Sequence, residues 1–308
     1  MTTIPKTPAG GVVRREFLTL IGAASAGVAV GGTAFAQTPP TPGASPPDQK
    51  STVVLERLPN GVLLIGIDRA EAQNRIDVPT FNALGQAYYE FEHDDALRVA
   101  VLHGRGPDFS QGLDLQSWGT ALAAGPLQQP PHFLDPLSTA GPARTKPLVV
   151  VVQGHVTRIA HELFLTADVR VAAQDAIFNQ GEVTAASFPG GGATIRFMRE
   201  AGWANAMRYM LTGDSWNADE AYRLGLVQEL TPPGQQLNRA TEIAKKIAAA
   251  APLGVRAVLA SSHHALGEGD TVAFALLQPE FGRLFRSEDR REYIRALQEH
   301  RTPVYHGR

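Results

Sequence analysis

The chain lacks cysteine entirely, although it has 308 residues. This absence excludes disulfide bonds, thiolate nucleophiles and cysteine-ligated metal sites, and we predict no metal site. The net charge is only −2 at pH 7, which gives no electrostatic basis for binding nucleic acid. The apolar stretch Leu18–Val30 is broken by glycine and serine, and it is shorter than the roughly 20 residues that cross a bilayer. The composition of the full chain, 44% hydrophobic and 19% charged, is typical of a globular protein.

The N-terminal segment has the pattern of an export signal. Arg14–Arg15 form a twin-arginine pattern, the apolar Leu18–Val30 stretch follows, and Ala34–Ala36 reads A-x-A, a cleavage signal. The sequence therefore predicts a twin-arginine signal peptide over residues 1–36, a periplasmic or exported location, and no membrane association after cleavage. The proline-rich residues 37–51 are predicted to be a disordered linker.

The rest of the chain alternates strands with helices and then becomes mainly helical. Apolar runs and alternation predict strands at Thr52–Leu58, Val62–Ile67, Leu97–Leu102, Leu148–Val152, Val169–Ala173 and Ala176–Phe178. Helical periodicity predicts helices at Val78–His93, Ala193–Glu200, Ala204–Leu211, Ala218–Leu224, Leu237–Ala250, Pro252–Ala265, Thr271–Phe285 and Ser287–His300. This order predicts an α/β fold with a core over residues 52–250 and a helical region over 251–308.

The first candidate functional segment is Asp108–Leu115, which follows a predicted buried strand. Gly112 lies within it, and a glycine in such a loop allows backbone N–H groups to approach a ligand closely. The alternative interpretation is an ordinary surface turn.

A second segment is Gln153–Leu163, which leaves the apolar strand Leu148–Val152 and enters a predicted helix. A strand-to-helix junction presents free N–H groups and the positive end of the helix dipole. Glu162 is expected about one turn inside that helix. Its alternative role is a surface ion pair with Arg158, four residues earlier, and the alternative for His161 is a partly exposed helix histidine.

A third segment contains Phe178–Glu182 and then the glycine run of Phe188–Gly192. Glu182 follows Glu162 by twenty residues, and two carboxyl groups near one water can divide acid and base roles when their environments differ. The glycine run lacks the Lys-Ser/Thr ending of a phosphate-binding loop, so that function is rejected.

Taken together, these segments resemble the crotonase superfamily, the enoyl-CoA hydratase/isomerase family, over about Val53–Arg308. The family's motif F-x-A-G-x-D is similar to Phe109–Asp114, and its N-G-x-A-x-G-G-G-x-E-L is similar to Gln153–Leu163. F-G-Q-P-E resembles Phe178–Glu182, and I-P-G-x-G-G-T resembles Phe188–Thr194. Shorter family signatures are similar to Thr166–Ala172, Leu211–Gly213, Ala218–Ala221, Leu224–Val227, Ser287–Asp289 and His300–Arg308.

The resemblance implies a spiral of ββα units with a helical C-terminal region that forms trimers, and so a homotrimer or hexamer. It implies an enoyl-CoA hydratase/isomerase-type lyase whose backbone N–H groups at Leu113 and Ile159 form an oxyanion hole. Glu162 and Glu182 match the two catalytic glutamates of the family's hydratases. Further substrate contacts are expected from Gln111, Gly112, Asp114, Arg158, Pro189 and Gly190. The expected partner is a small acyl or carbonyl substrate; no cofactor is implied, and coenzyme A enters only as part of that substrate.

The sequence departs from the family where Gly-Gly-Gly is replaced by Arg158–Ile159–Ala160. The neighbouring His161 is a further acid/base candidate. A few branches of the superfamily hydrolyse carbon–carbon bonds of β-diketones without coenzyme A, using a histidine and an acidic group where family glycines are also replaced. Such a hydrolase, and a non-catalytic binding protein on the same scaffold, are the alternative functions.

Overall fold

A computed structural model describes residues 52–308 of the chain. The predicted signal peptide over 1–36 and the predicted linker over 37–51 lie outside the described residues. The strands are β1 (Val53–Leu58), β2 (Val62–Ile67), β3 (Val99–Gly104), β4 (Leu148–Val152), β5 (His155–Thr157), β6 (Val169–Ala173), β7 (Ile177–Asn179), β8 (Ser215–Asn217) and β9 (Glu229–Thr231).

The α-helices are α1 (Val78–His93), α2 (Leu115–Ala124), α3 (Ile159–Phe164), α4 (Ala193–Ala201), α5 (Trp203–Met210), α6 (Ala218–Arg223), α7 (Gln236–Ala249), α8 (Pro252–Glu268), α9 (Asp270–Phe285) and α10 (Glu288–Gln298). Short 3₁₀ turns lie at Ala70–Ala72 and Glu182–Ala185. Within residues 52–308, no helix is long and apolar enough to cross a membrane.

The strands form two sheets, and the chain alternates between them. The six-stranded sheet has the order β1-β2-β3-β4-β6-β9, and the three-stranded sheet has the order β5-β7-β8. The β1–β2 hairpin is antiparallel, whereas β2, β3, β4, β6 and β9 pair in parallel. The hairpin turns at Asn60 and Gly61, whose φ angles of 69° and 81° suit asparagine and glycine. This layered α/β architecture confirms the predicted fold class.

One helix covers one face of the large sheet with small side chains. Ala240, Ala244 and Ala248 on α7 are buried against strand residues that share this face: Val62, Leu64, Val99, Val101, Val149, Val151 and Val171. The other face contributes to the main core, which also contains α1, α3 and the second sheet. Alanine at i, i+4 and i+8 allows α7 to approach the sheet closely.

The structure corrects several predicted elements. The third strand is Val99–Gly104 rather than Leu97–Leu102, and the helix Leu115–Ala124 was not predicted. Strands β5, β8 and β9 were also missed, because three residues are too few to show a period. The predicted helix containing Glu162 is confirmed, and Glu162 is the fourth residue of α3.

Candidate active site

Two chain segments run side by side and create the centre of the site. Phe109 N–H donates to Gln153 O at 2.8 Å, Ser110 N–H donates to His155 O at 3.0 Å, and Thr157 N–H donates to Ser110 O at 3.1 Å. These bonds form a short ladder between the two segments that resemble the family's oxyanion motifs. The two segments are far apart in the sequence, so their pairing could not be predicted and is seen only in the structure.

The Leu113 N–H is left free at the end of this ladder. On either side of it, Gly112 O accepts from Ile76 N at 2.8 Å and Asp114 N donates to Ile76 O at 3.0 Å. Among residues 52–308, the Leu113 N–H itself donates to no protein acceptor. Gly112 has a φ of 92°, and a Cβ there would lie 3.1 Å from Thr157 O. Glycine is therefore needed for this approach of the two segments.

The second predicted donor, Ile159, is the first residue of α3. The N–H groups of a helix's first turn have no partner within the helix, and Arg158 at the N-cap supplies no side-chain acceptor. The Ile159 side chain packs in the main core and is 5% exposed. The branched side chain that replaces a family glycine is thus accommodated in the core, while its N–H remains at the helix start.

Arg158 has an unusual backbone for a residue with a side chain, with φ 55° and ψ −114°. Glycine adopts this region far more easily, so the substitution of a family glycine by arginine places backbone strain beside the site. The Arg158 N–H donates to Asn179 O at 2.8 Å and ties this segment to the one that carries Glu182. Within the described part of the chain, the Arg158 guanidinium makes no hydrogen bond, and its Nε is enclosed by protein.

Glu162 projects from α3 into a closed environment and is 3% exposed. Its Oε1 accepts from Ala193 N at 3.1 Å. A Cβ on Gly191 would lie 2.5 Å from Glu162 Oε2, so the glycine run provides room for the carboxyl group. Burial, with a further contribution from the charge of Glu182, raises the pKa of Glu162 to about 8. The alternative of a surface ion pair with Arg158 is wrong.

Glu182 begins the 3₁₀ turn that follows β7 and is partly buried. Its Oε1 accepts from Gln180 Nε2 at 2.9 Å. Its Oε2 is enclosed and has no hydrogen-bond partner among the residues described. Burial raises the pKa of Glu182, while the hydrogen bond from Gln180 and the charge of Arg158 oppose that shift. The fold therefore brings the two predicted glutamates close enough to interact electrostatically.

His161 lies behind the two glutamates, in the core, and is 0% exposed. Its ring contacts the aromatic rings of Phe178, Phe197 and Trp216, with the latter two at centroid distances of 5.1 Å. Burial lowers the pKa of His161 to about 4. The alternative of a partly exposed helix histidine is wrong, and the imidazole is enclosed by protein.

The other predicted contacts are more varied. Asp114 caps α2 by accepting from Ser117 N at 3.1 Å and lies 3.5 Å from Arg69 Nη2. Gln111 Nε2 donates to Asp108 Oδ2 at 3.1 Å. Pro189 and Gly190 belong to the loop that leads to Gly191, beside the Glu162 carboxyl.

Two residues of the site were missed in the sequence. Gln180 lies within a motif that was noticed, but only the structure shows that it connects His161 to Glu182. Arg196 donates to Gly191 O at 3.0 Å and to Ser138 O at 3.1 Å, and its charge favours ionised Glu162. Nothing local in the sequence marks Arg196, because its neighbours come from distant segments.

Comparison with known proteins adds independent information. A family model described as "Enoyl-CoA hydratase/isomerase" matches residues 57–308. Enoyl-CoA hydratase EchA19 of Mycobacterium tuberculosis is 30% identical over 256 residues, which cover 80% of this chain and 93% of the relative. The 2,3-dehydroadipyl-CoA hydratase of Escherichia coli is 32% identical over 252 residues, which cover 80% of this chain and 96% of the relative.

Solved structures show the same likeness. The crystal structure of a probable enoyl-CoA hydratase/isomerase from Mycobacterium abscessus is similar to this chain with a TM-score of 0.81 and 42% sequence identity. The match covers 84% of this chain and 100% of the other. An enoyl-CoA hydratase from Mycobacterium tuberculosis has a TM-score of 0.76 at 33% identity, with 84% and 100% of the two chains covered.

Proposed function

The chain belongs to the enoyl-CoA hydratase/isomerase family, and from this membership we propose that it adds water across the double bond of a 2-enoyl-CoA thioester. The observation that carries the proposal is the pair of buried Glu162 and partly buried Glu182, together with the N–H groups of Leu113 and Ile159, for which residues 52–308 provide no acceptor. Isomerisation needs only proton transfer, whereas hydration also needs a group that activates water. Two carboxyl groups supply both functions.

The thioester carbonyl oxygen would lie between the N–H groups of Leu113 and Ile159. As water attacks Cβ, negative charge moves onto this oxygen, and two fixed donors stabilise the enolate. Loss of one such donor typically costs about 10²–10³-fold in rate. Ile159 and Glu162 are both buried, and hydrogen bonds in such surroundings are stronger than in water.

Proton transfer is assigned to the glutamates. Their mutual proximity and burial disfavour two negative charges, so the pair holds one proton in the free enzyme. We place that proton on Glu162 and the charge on Glu182, which accepts an N–H from Gln180. Glu182 removes a proton from water, the hydroxyl adds to Cβ, and Glu162 delivers a proton to Cα. Glu182 then releases its proton to solvent and Glu162 takes one up, which restores the starting state.

We assign the acyl chain to an apolar cleft beside α1 and α2. It is lined by Val78, Phe81, Trp118, Phe133 and Leu137. Trp118 Nε1 donates to Ile76 O at 2.9 Å, which connects this cleft to the segment carrying Leu113. The relatives are named as hydratases acting on coenzyme A thioesters, which supports a thioester substrate here. Coenzyme A is then part of the substrate, and the proposal needs no separate cofactor.

Direct assay tests the proposal against the alternatives. Purified protein is mixed with enoyl-CoA thioesters of different chain length, and loss of the conjugated double bond and formation of the 3-hydroxyacyl product are followed. Cyclic β-diketones are assayed in parallel for carbon–carbon cleavage. The diketone alternative relied on His161 as an acid/base group, but this side chain is enclosed by aromatic rings. Diketone cleavage without hydration would reject the proposal, and binding without turnover of either substrate would favour a non-catalytic role.

We propose that the protein forms a homotrimer or hexamer through its C-terminal helices. Large apolar side chains on α8, α9 and α10 are exposed, namely Val258, Leu266, Phe274, Leu277, Phe281, Phe285, Ile294 and Leu297. Such a surface is more apolar than a monomer normally presents to water. Light scattering at micromolar concentration is expected to give three or six chain masses. Phe274→Asp with Phe281→Asp should lower that mass, whereas Leu211→Asp, at an exposed residue just after α5, should not. A monomeric wild type would contradict this expectation.

We also propose that the enzyme is exported by the twin-arginine route, from the sequence of residues 1–36. Arg14→Lys combined with Arg15→Lys should leave the protein in the cytoplasm with its leader attached. Cell fractionation and the mass of the N-terminal peptide measure this. A conservative change at Arg75 is the control and should leave export unchanged. Equal export of the double variant and the wild type would reject the twin-arginine route.

A further inference from the structure

A line of three side chains leads from the aromatic core to the second glutamate. His161 Nδ1 lies 2.5 Å from Gln180 Oε1, and Gln180 Nε2 lies 2.9 Å from Glu182 Oε1. We propose that His161 is a positioning residue that fixes the amide of Gln180 so that its N–H group donates to Glu182. The inference rests on the proposed hydration, because its role is to prepare Glu182 as the base.

The hydrogen-bond chemistry determines the direction of this line. A carboxylate accepts only, so Gln180 must present its NH₂ group to Glu182 and its oxygen to His161. His161 must then carry its proton on Nδ1 and donate it. The imidazole Nε2 is enclosed and has no hydrogen-bond partner in the described range 52–308. That arrangement matches a neutral ring with the proton on Nδ1.

The surroundings of His161 hold the imidazole in one orientation. Four aromatic rings from different segments enclose it, at centroid distances of 5.1–6.1 Å: Phe164, Phe178, Phe197 and Trp216. Because the ring is fully buried, it keeps the neutral state and exchanges no proton with substrate. His161 therefore acts through Gln180 and not on the reacting atoms.

Without the His161 donor, either orientation of the Gln180 amide becomes possible. The flipped amide would place its oxygen against the Glu182 carboxyl, which is tolerated only if that carboxyl is protonated. Loss of the donor therefore favours the protonated, inactive form of Glu182. The acid limb of the kcat/KM profile should move to higher pH by about one unit, the shift expected when one hydrogen bond to a charged group is lost.

The test compares His161→Phe, Gln180→Leu and the double variant. Phe keeps an aromatic ring in the cage and removes the donor. Each single variant should shift the acid limb upward, and the double variant should shift it no further than Gln180→Leu alone, because both act through the same bond. Phe91→Leu makes a buried ring of the same core smaller, on α1 and outside the four rings that enclose His161, and is the matched control, for which no shift of the limb is expected.

Titration of ¹³C-labelled glutamate carboxyls, with the Glu182 signal assigned by its loss in Glu182→Gln, gives the same readout without substrate. A Glu182 titration that is unmoved in His161→Phe would overturn the inference, as would additive shifts or an equal shift in Phe91→Leu. If the wild type hydrates no enoyl-CoA but the carboxyl titration moves as expected, the proposed function fails while the positioning role stands.

Discussion

Glu162→Gln and Glu182→Gln are each expected to lower the rate of enoyl-CoA hydration by about 10²–10⁴-fold, the usual loss when a positioned acid or base is removed. Glutamine keeps the size and most hydrogen bonds of each side chain but cannot exchange the proton. The side-chain oxygen at position 162 would still accept a hydrogen bond from Ala193 N–H after the change. The melting temperature should therefore change little. Steady-state kinetics together with thermal unfolding measure both quantities.

The pH dependence of stability distinguishes the first variant further. Burial raises the pKa of Glu162 from an ordinary 4.5 to about 8, so the folded state favours the neutral carboxyl. Its contribution to stability is fully present below pH 4.5 and is lost as the pH rises toward 8. Glu162→Gln should remove this loss, so near pH 9 the variant should be more stable relative to the wild type than it is at low pH. Glu268→Gln, at an exposed glutamate of α8, is the control for both measurements. Full activity in both site variants would reject the assigned roles.

Gly191→Ala is expected to lower kcat by about 10²-fold, although the change adds only one methyl group. The new Cβ would lie 2.5 Å from Glu162 Oε2 and 2.8 Å from its carboxyl carbon, so the Glu162 side chain must move. A displaced acid/base group loses its alignment with the substrate even when the fold is intact. KM should change less than kcat, because the backbone N–H groups proposed to bind the thioester carbonyl belong to Leu113 and Ile159 and are not displaced by the new methyl group.

Gly254→Ala provides the matched control for this variant. Gly254 lies in α8, and a Cβ there would meet no atom within 4 Å. Alanine is a better helix former than glycine, so this control should keep its activity and unfold at an equal or slightly higher temperature. If Gly191→Ala retained the wild-type kcat, Glu162 would not need its observed position.

Features with a local signal could be predicted from the sequence. The run Leu148–Val152 indicated a buried strand because all five residues are apolar, and Glu162 was placed one turn inside the following helix. The order of the motifs then identified the family over nearly the whole described range, and the family model confirms that identification.

The features that were missed depend on contacts between distant segments. Strand β9 has three residues and exists because it pairs with β6, from Val171↔Glu229 to Ala173↔Thr231. The environment of His161 is formed by rings that are scattered along the chain. The residues next to His161 in the sequence do not indicate that it is buried. Its position beside Glu162 therefore suggested an acid/base group, whereas the structure shows a core residue.

The arrangement of α7 on the large sheet has a consequence for synthesis of the chain. Strands β1, β2, β3, β4 and β6 are complete once residue 173 has been made, but the helix that covers their outer face spans Gln236–Ala249. A nascent chain that ends before this helix exposes a continuous row of valine and leucine side chains. Such intermediates are prone to aggregate and are typical clients of chaperones. Synthesis of α7, which is complete at residue 249, therefore limits when this face of the sheet is protected from aggregation.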